Sequence, residues 1–223
     1  MPFDRQNNLV FLHIPKTAGS SIEQALGLFG PWQTENLNTG FGFIRSRDLL
    51  ARNLSSNFLQ HLTLAELDGL FPAVMWNAKV FTVVRDPWQR LLSSFRNPDP
   101  DLANLYRYRT NHELNELNLA EYIDVARWLR HAHLRPQLDF VRSVGCNEVD
   151  PRVHVFHQDN LSTLETWLSE HCGRAVKLPQ ANPGRRTMPD LSDNTLNSLE
   201  QQVRWLYAVD GHAFGYDTPH STH

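Results

Sequence analysis

Residues 9–26, LVFLHIPKTAGSSIEQAL, set a continuous apolar run against a turn holding one lysine and then a helical pattern. Leu9 to Ile14 is bounded by Pro15, the form of a strand buried on both faces of a parallel sheet. Residues 20–28 place Ile22, Ala25 and Leu26 on one helical face. A strand that enters a tight turn and leaves as a helix aims several amide N–H groups at one point, and the helix dipole adds partial positive charge there. PKTAGSS, residues 15–21, therefore reads as an anion site. Gly19 lets the backbone approach an oxygen closely, Thr17, Ser20 and Ser21 offer hydroxyls, and Lys16 brings a mobile charge. The spacing departs from the Walker loop GxxxxGK[ST], because the first glycine is absent and the lysine precedes the glycine. The same letters also suit a plain helix start, with Ser20 and Glu23 as a capping box and Lys16 solvated. On this stretch alone both readings stand.

A second strand end changes the weighting. KVFTVV, residues 79–84, runs directly into RDPWQRLLSSFR, where Asp86 fits a helix cap and Pro87 the first helical position. Trp88, Leu91, Leu92 and Phe95 fall on one face of that helix, and Gln89, Arg90 and Ser93 on another. Arg85 and Ser93 are thus expected to reach over one edge of the sheet, where a guanidinium fork and a hydroxyl suit a terminal phosphate. The alternative is an Arg85 paired with an acid and a Ser93 on ordinary helix surface.

The rest of the chain alternates strand and helix patterns without repeats. Residues 27–57 read as a loop region able to cover a site, and Thr63 to Glu66 spell a capping box for a helix ending near Phe71. Residues 97–117 read as loop, 119–131 as an amphipathic helix, and Arg152 to Phe156 as a third strand followed by a helix near 160–170. Pro179 to Pro189 is a loop containing Gly184, Arg185 and Arg186, before a last helix over about 192–207. This order predicts a single α/β domain over residues 1–223 with a central, mainly parallel sheet, and ligands at the carboxyl ends of its strands.

The composition is that of an ordinary soluble globule: 223 residues, 41% hydrophobic, 20% charged, net charge −3. No global positive field exists to hold nucleic acid, so any anion must be held by local charge. No signal peptide or membrane span is visible, and Cys146 and Cys172 are too few to form a disulfide framework, so a reducing cytoplasm is expected.

FLHIPKTAGSS and VVRDPWQRLLSSF together resemble the two nucleotide motifs of sulfotransferases that use 3'-phosphoadenosine 5'-phosphosulfate (PAPS), in the branch related to glycan O-sulfotransferases. QHLTLAEL, RPQLDFV and LYAVDGHAFGYD are similar to further blocks of that family, so the likeness spans most of the chain. It implies a P-loop-like, three-layer α/β/α fold, with PAPS as cosubstrate and no metal. It also implies that Lys16, Thr17, Ala18, Gly19, Ser20 and Ser21 hold the 5' end of the donor, and Arg85 and Ser93 the 3'-phosphate. Arg185 and Arg186 would close over that end, and Arg90 would either assist or be structural. Transfer of a sulfonate is governed by positioning and charge stabilisation, so Lys16 can meet the leaving oxygen without magnesium.

An acceptor hydroxyl needs a general base within hydrogen-bond reach. His61, in QHLTLAEL, stands where the family's base histidine is found; Glu66 and His133 are the alternatives, and His13 is structural or a neighbour of the donor. Tyr106, Arg107, Tyr108 and Arg109 suit either acceptor binding or a surface loop. Animal glycosaminoglycan sulfotransferases are longer and membrane-anchored, whereas this shorter sequence is expected to be unanchored. The expected setting is a bacterial cytoplasm and the expected acceptor a carbohydrate hydroxyl. A magnesium-dependent small-molecule kinase and a non-catalytic nucleotide-binding module are the competing readings.

Overall fold

Leu9–Leu12 and Lys79–Val84 lie side by side as parallel strands, joined at their ends by the Thr82 hydroxyl, which donates to the Leu12 carbonyl at 2.7 Å. They belong to a four-stranded sheet of order β1-β2-β3-β4, with β1 at Phe3–Asp4, β2 at Leu9–Leu12, β3 at Lys79–Val84 and β4 at Val153–His157. β2, β3 and β4 run parallel, and the short β1 pairs antiparallel with β2. A computed structural model describes residues 2–179 and 191–216 of the chain.

The parallel strands are buried because both faces carry apolar side chains. Leu9, Phe11, Phe81 and Val83 pack with Ile22 and Leu26 of helix α1, Gly19–Leu26, and with Leu164 and Leu168 of the helix Leu161–Cys172. Phe11 stacks on Phe81 at 5.1 Å, and Phe81 meets Trp167 at 5.3 Å. The alternate positions Val10, Leu12, Val80 and Val84 are equally buried, as two-sided cover requires. The parallel order brings the ends of β2, β3 and β4 to one edge, the place where such sheets bind ligands.

The chain divides into two compact units. The first holds the sheet and comprises the described residues up to Arg85 and from Gln137 to 179; the second comprises 86–136 and 191–216. In the second, Trp88, Leu92 and Phe95 of the helix Pro87–Arg96 pack with Tyr122 and Ile123 of Leu119–Trp128 and with Leu199 and Val203 of Asp193–Leu206. Asp86 caps Pro87–Arg96 as expected, accepting from the Gln89 N–H at 2.9 Å.

One expectation is corrected, and of the two alternatives for Arg90 the contacts favour one. Residues 97–117 are not a loop, because a helix spans Pro100–Thr110 with Asp99 as its cap and Pro100 at its first turn. The Asn-Pro-Asp cluster that reads as loop is a helix start. Tyr106 is consequently buried in the core of the second unit, while Arg107, Tyr108 and Arg109 are exposed. Arg90 is also structural: it is buried, and its guanidinium donates to the carbonyls of Arg135 at 2.7 Å and Ala132 at 3.4 Å. Burial pulls its pKa down, while Tyr207 and Asp210 oppose that shift.

At the start of β4, Asp150 accepts from the Arg152 backbone N–H and side chain and from the Ser143 hydroxyl, while Arg152 also reaches Asp68 at 2.8 Å. The Arg152 guanidinium, then Ser143, hold the Asp150 carboxyl well below the usual carboxylate range despite partial burial. A carboxyl depressed in the folded state stabilises the protein above its unfolded pKa of about 4, and that contribution is lost as pH falls further. Urea unfolding of Asp150→Asn is expected to show lower stability at pH 7, with the gap to wild type narrowing below about pH 4; a pH-independent gap contradicts the assignment.

Candidate active site at the strand edge

The turn after β2 is built from left-handed backbone at non-glycine residues. Lys16 has φ 70° and Ala18 φ 72°, a conformation that costs an L-residue about 1 kcal/mol or more each. Alternating left-handed residues turn successive amide N–H groups to one side, which forms an anion-binding nest. Ala18 also caps α1 through its backbone: its carbonyl accepts from Ser21 at 3.0 Å and from Ile22 at 3.2 Å. The amides of Ala18, Gly19 and Ser20 donate to no other described residue. An orphaned donor set at a helix start, held in strained backbone, is the physical form of an oxyanion cradle.

The cradle differs from the sequence reading in three details. Thr17 is fully buried and its hydroxyl donates to the Ile14 carbonyl at 2.8 Å, so that hydroxyl closes the turn. Ser20 and Glu23 form no capping box: α1 starts at Gly19, which puts Ser20 inside the first turn, exposed. Glu23 instead points into the protein, where its carboxylate accepts from His13 Nδ1 at 2.6 Å.

The ring held by that hydrogen bond explains Gly19. The His13 ring lies over the Gly19 Cα, so that a Cβ built there would stand 1.9 Å from His13 Nε2. The glycine is required by the histidine behind the turn, since its own φ is not left-handed. His13 stacks on Phe11 at 5.4 Å, and its ring meets the edge of His61 at 4.7 Å.

His61, buried at the end of the short helical turn Leu59–His61, is thereby brought to the cradle's rear wall. Its Nδ1 lies 3.1 Å from the His13 carbonyl oxygen, which can only accept. Nδ1 therefore carries the proton, and in the neutral ring Nε2 is the basic nitrogen. Glu66 is committed elsewhere. It completes the Thr63 capping box that starts Leu64–Leu70 and accepts from the Ser55 hydroxyl at 2.8 Å. His133 belongs to the second unit, with Nε2 3.7 Å from Asp99.

Arg85 joins the other side of the cradle. Its guanidinium donates to the Lys16 carbonyl at 3.3 Å, so the exits of β2 and β3 are tied together. Its own backbone is clamped by the buried side chain of Gln137, whose Oε1 accepts from the Arg85 N–H at 2.9 Å and whose Nε2 donates to the Arg85 carbonyl at 2.8 Å. Gln137 continues the strand's hydrogen bonding one residue past its end. Reading of residue types missed it, although RPQLDFV, residues 135–141, marks the place. Beside it, β4 ends in a cleft of about 480 Å³ lined by Val155, Phe156, His157, Asp159, Asn160 and Thr163.

Ser93 is half-buried on Pro87–Arg96 in the second unit, and Arg185 and Arg186 lie outside the described residues. Cys146 and Cys172 are both free thiols. Among the described residues no cluster of His, Cys, Asp and Glu is arranged to hold a metal ion, and no helix is long and apolar enough to cross a membrane.

Comparison with known proteins returned a family model described as "Sulfotransferase family", which matches residues 1–144 and so covers β1 to β3, the cradle, His61 and Arg85. No curated protein and no solved structure matches the chain.

The contact between Gly19 and His13 is directly testable. Gly19→Ala is expected to destabilise the protein by about 1–3 kcal/mol, the ordinary cost of overpacking. In the double variant His13→Ala/Gly19→Ala the two losses are expected to be strongly sub-additive in a double-mutant cycle. Additive losses refute the contact.

Proposed function

Because this chain belongs to the sulfotransferase family, we propose that it moves a sulfonate group from PAPS to a hydroxyl, and that the hydroxyl belongs to a carbohydrate. The observation that carries this reading is the strained nest at Lys16 and Ala18, tied through the Lys16 carbonyl to Arg85 and backed through His13 by His61. A cradle, two cations and a histidine with a defined basic nitrogen are the parts that sulfonate transfer needs.

The amides of Ala18, Gly19 and Ser20 bind the 5'-phosphosulfate end, with the Ser20 and Ser21 hydroxyls beside them, and Thr17 contributes its closing of the turn. Charge builds on the bridging oxygen as it leaves sulfur, and Lys16 meets that charge; fixed donors aimed at a developing anion need no reorganisation at the moment of reaction. Arg85 takes the 3'-phosphate, because a guanidinium presents a planar fork to a dianion. The family resemblance assigns Ser93, Arg185 and Arg186 to the same 3' end.

His61 acts on the acceptor. With Nδ1 donating to the His13 carbonyl, Nε2 accepts the hydroxyl proton as the oxygen–sulfur bond forms. Glu23 and His13 are positioning residues: the carboxylate orients the His13 ring, and that ring and its carbonyl orient His61. The net charge of −3 gives no long-range pull on a donor anion, so its binding rests on the cradle and the arginines.

Radiolabelled sulfonate transfer from PAPS to a saccharide panel, with ATP as an unused donor and no effect of chelator, is the direct test; magnesium-dependent use of ATP overturns the reading. Lys16→Ala is expected to lower kcat about 100-fold or more while donor affinity changes little. Arg85→Ala is expected to weaken adenosine 3',5'-bisphosphate about 10- to 100-fold and adenosine 5'-monophosphate far less, as the loss of a charged hydrogen bond to one phosphate demands. Equal losses for both nucleotides remove Arg85 from the 3' end. A general base must be deprotonated, so the wild-type rate rises with pH through the His61 pKa, and His61→Ala is expected to lose about 100-fold in rate together with that rise. A slow variant that keeps the rise assigns the base elsewhere.

A further inference from the structure

Between α1 and His61 the chain has little regular structure, yet it is closely braced. The Phe43 N–H donates to the Trp32 carbonyl at 2.8 Å, and Asn36 and Phe41 exchange N–H···O bonds at 2.8 and 3.1 Å. The Gly42 N–H donates to Gln60 at 3.0 Å, and the Gly42 carbonyl accepts from Leu59 at 3.0 Å. Gly42 has φ 99°, and a Cβ there would stand 1.8 Å from the Thr34 carbonyl oxygen, so only glycine lets the two passes of chain approach this closely.

The bracing holds up one large side chain that the core does not use. Trp32 is 54% exposed, and its ring lies 6.2 Å from Phe58 at 56°, a tilted contact on a side chain more than half open to solvent. Phe58 is fixed from behind by the edge of Phe43 at 5.4 Å, and its ring lies 6.5 Å from His61. Trp32 is thus linked through the Phe58 ring to the ring of His61. By contrast Trp76, 88% exposed on Pro72–Asn77, has no ring partner among the described residues. Scattered apolar surface is ordinary, but an exposed indole held by an aromatic ring that itself meets a candidate base is a built surface.

Resting on the reading of the site given above, we propose that Trp32 is the platform on which the acceptor's pyranose ring stacks, with Phe58 as its buttress. A pyranose has one face of C–H bonds and a rim of hydroxyls. The C–H face suits the electron-rich face of an indole, and a rim hydroxyl is then directed toward His61. The platform selects a ring of that shape and leaves the choice of sugar to the polar groups around it.

Saturation-transfer difference NMR with cellobiose and with chitobiose tests this without turnover. Wild type is expected to transfer saturation to the protons of one pyranose face, Trp32→Ala to lose at least five-fold of that signal, and Trp32→Phe to keep part of it. Trp76→Ala is expected to behave as wild type. In sulfonate transfer, Trp32→Ala is expected to raise the saccharide KM about ten-fold with the PAPS KM unchanged. An unchanged signal in Trp32→Ala overturns the platform, as does an equal loss in Trp76→Ala, or a wild type that contacts 2-naphthol and neither saccharide. Adenosine 3',5'-bisphosphate binding by calorimetry separates the two levels: its absence in wild type defeats the nucleotide reading, and its retention in Trp32→Ala shows that the variant is folded.

Discussion

The edge of the sheet is organised around one imidazole. His13 follows β2 directly, and its ring lies where a Cβ of residue 19 would otherwise be, is held by Glu23, and touches the edge of His61. Remove that ring and three things lose their position together: the start of α1, the carboxylate on its inner face, and the histidine on the rear wall. An aromatic ring among buried neighbours is a rigid spacer, because close-packed interiors do not deform continuously. The cradle is therefore shaped from behind, by packing, before any ligand arrives.

The left-handed residues are a cost carried by the same packing. A glycine at position 16 or 18 would relieve strain of about 1 kcal/mol or more each, yet would also add freedom to the unfolded chain. Lysine and alanine are tolerated because Thr17 is locked to Ile14, Arg85 holds the Lys16 carbonyl, and α1 begins on the Ala18 carbonyl. With Lys16 itself in the left-handed position, the side chain that carries the charge grows from the nest, and cradle and cation move as one object. This accounts for the departure from the Walker spelling: the lysine stands within the turn and not after its last glycine.

Much of this was legible beforehand. The two strands, the helices that follow them, the Asp86 cap, the Thr63–Glu66 capping box and the parallel order follow from apolar run length and cap chemistry, which act over a few residues. The errors have the opposite character. DPDLANLYRYRT reads as loop because cap residues and loop residues are the same types, and only the burial of Leu102 and Tyr106 distinguishes them. Arg90 was set on a polar helix face, but carbonyls of Ala132 and Arg135, more than forty positions away in the chain, take its guanidinium inside. Glu23 suits a cap with Ser20, three residues away, and belongs to His13, ten away beyond the end of β2.

The amino-acid sequence by itself determined that two strand exits would bear cations and helix starts, because run length, prolines and caps are local properties of the chain. It also carried the identity of the chemistry, since a lysine, an arginine and a histidine keep their charge and protonation habits wherever they are placed. Tertiary structure alone decided what those groups do for one another: that Gly19 answers to His13, that Gln137 fixes Arg85, that a backbone carbonyl chooses the basic nitrogen of His61, and that Phe58 stands between His61 and Trp32. Each of these joins residues from different elements or loops, and such contacts exist only once the chain has folded around the sheet edge.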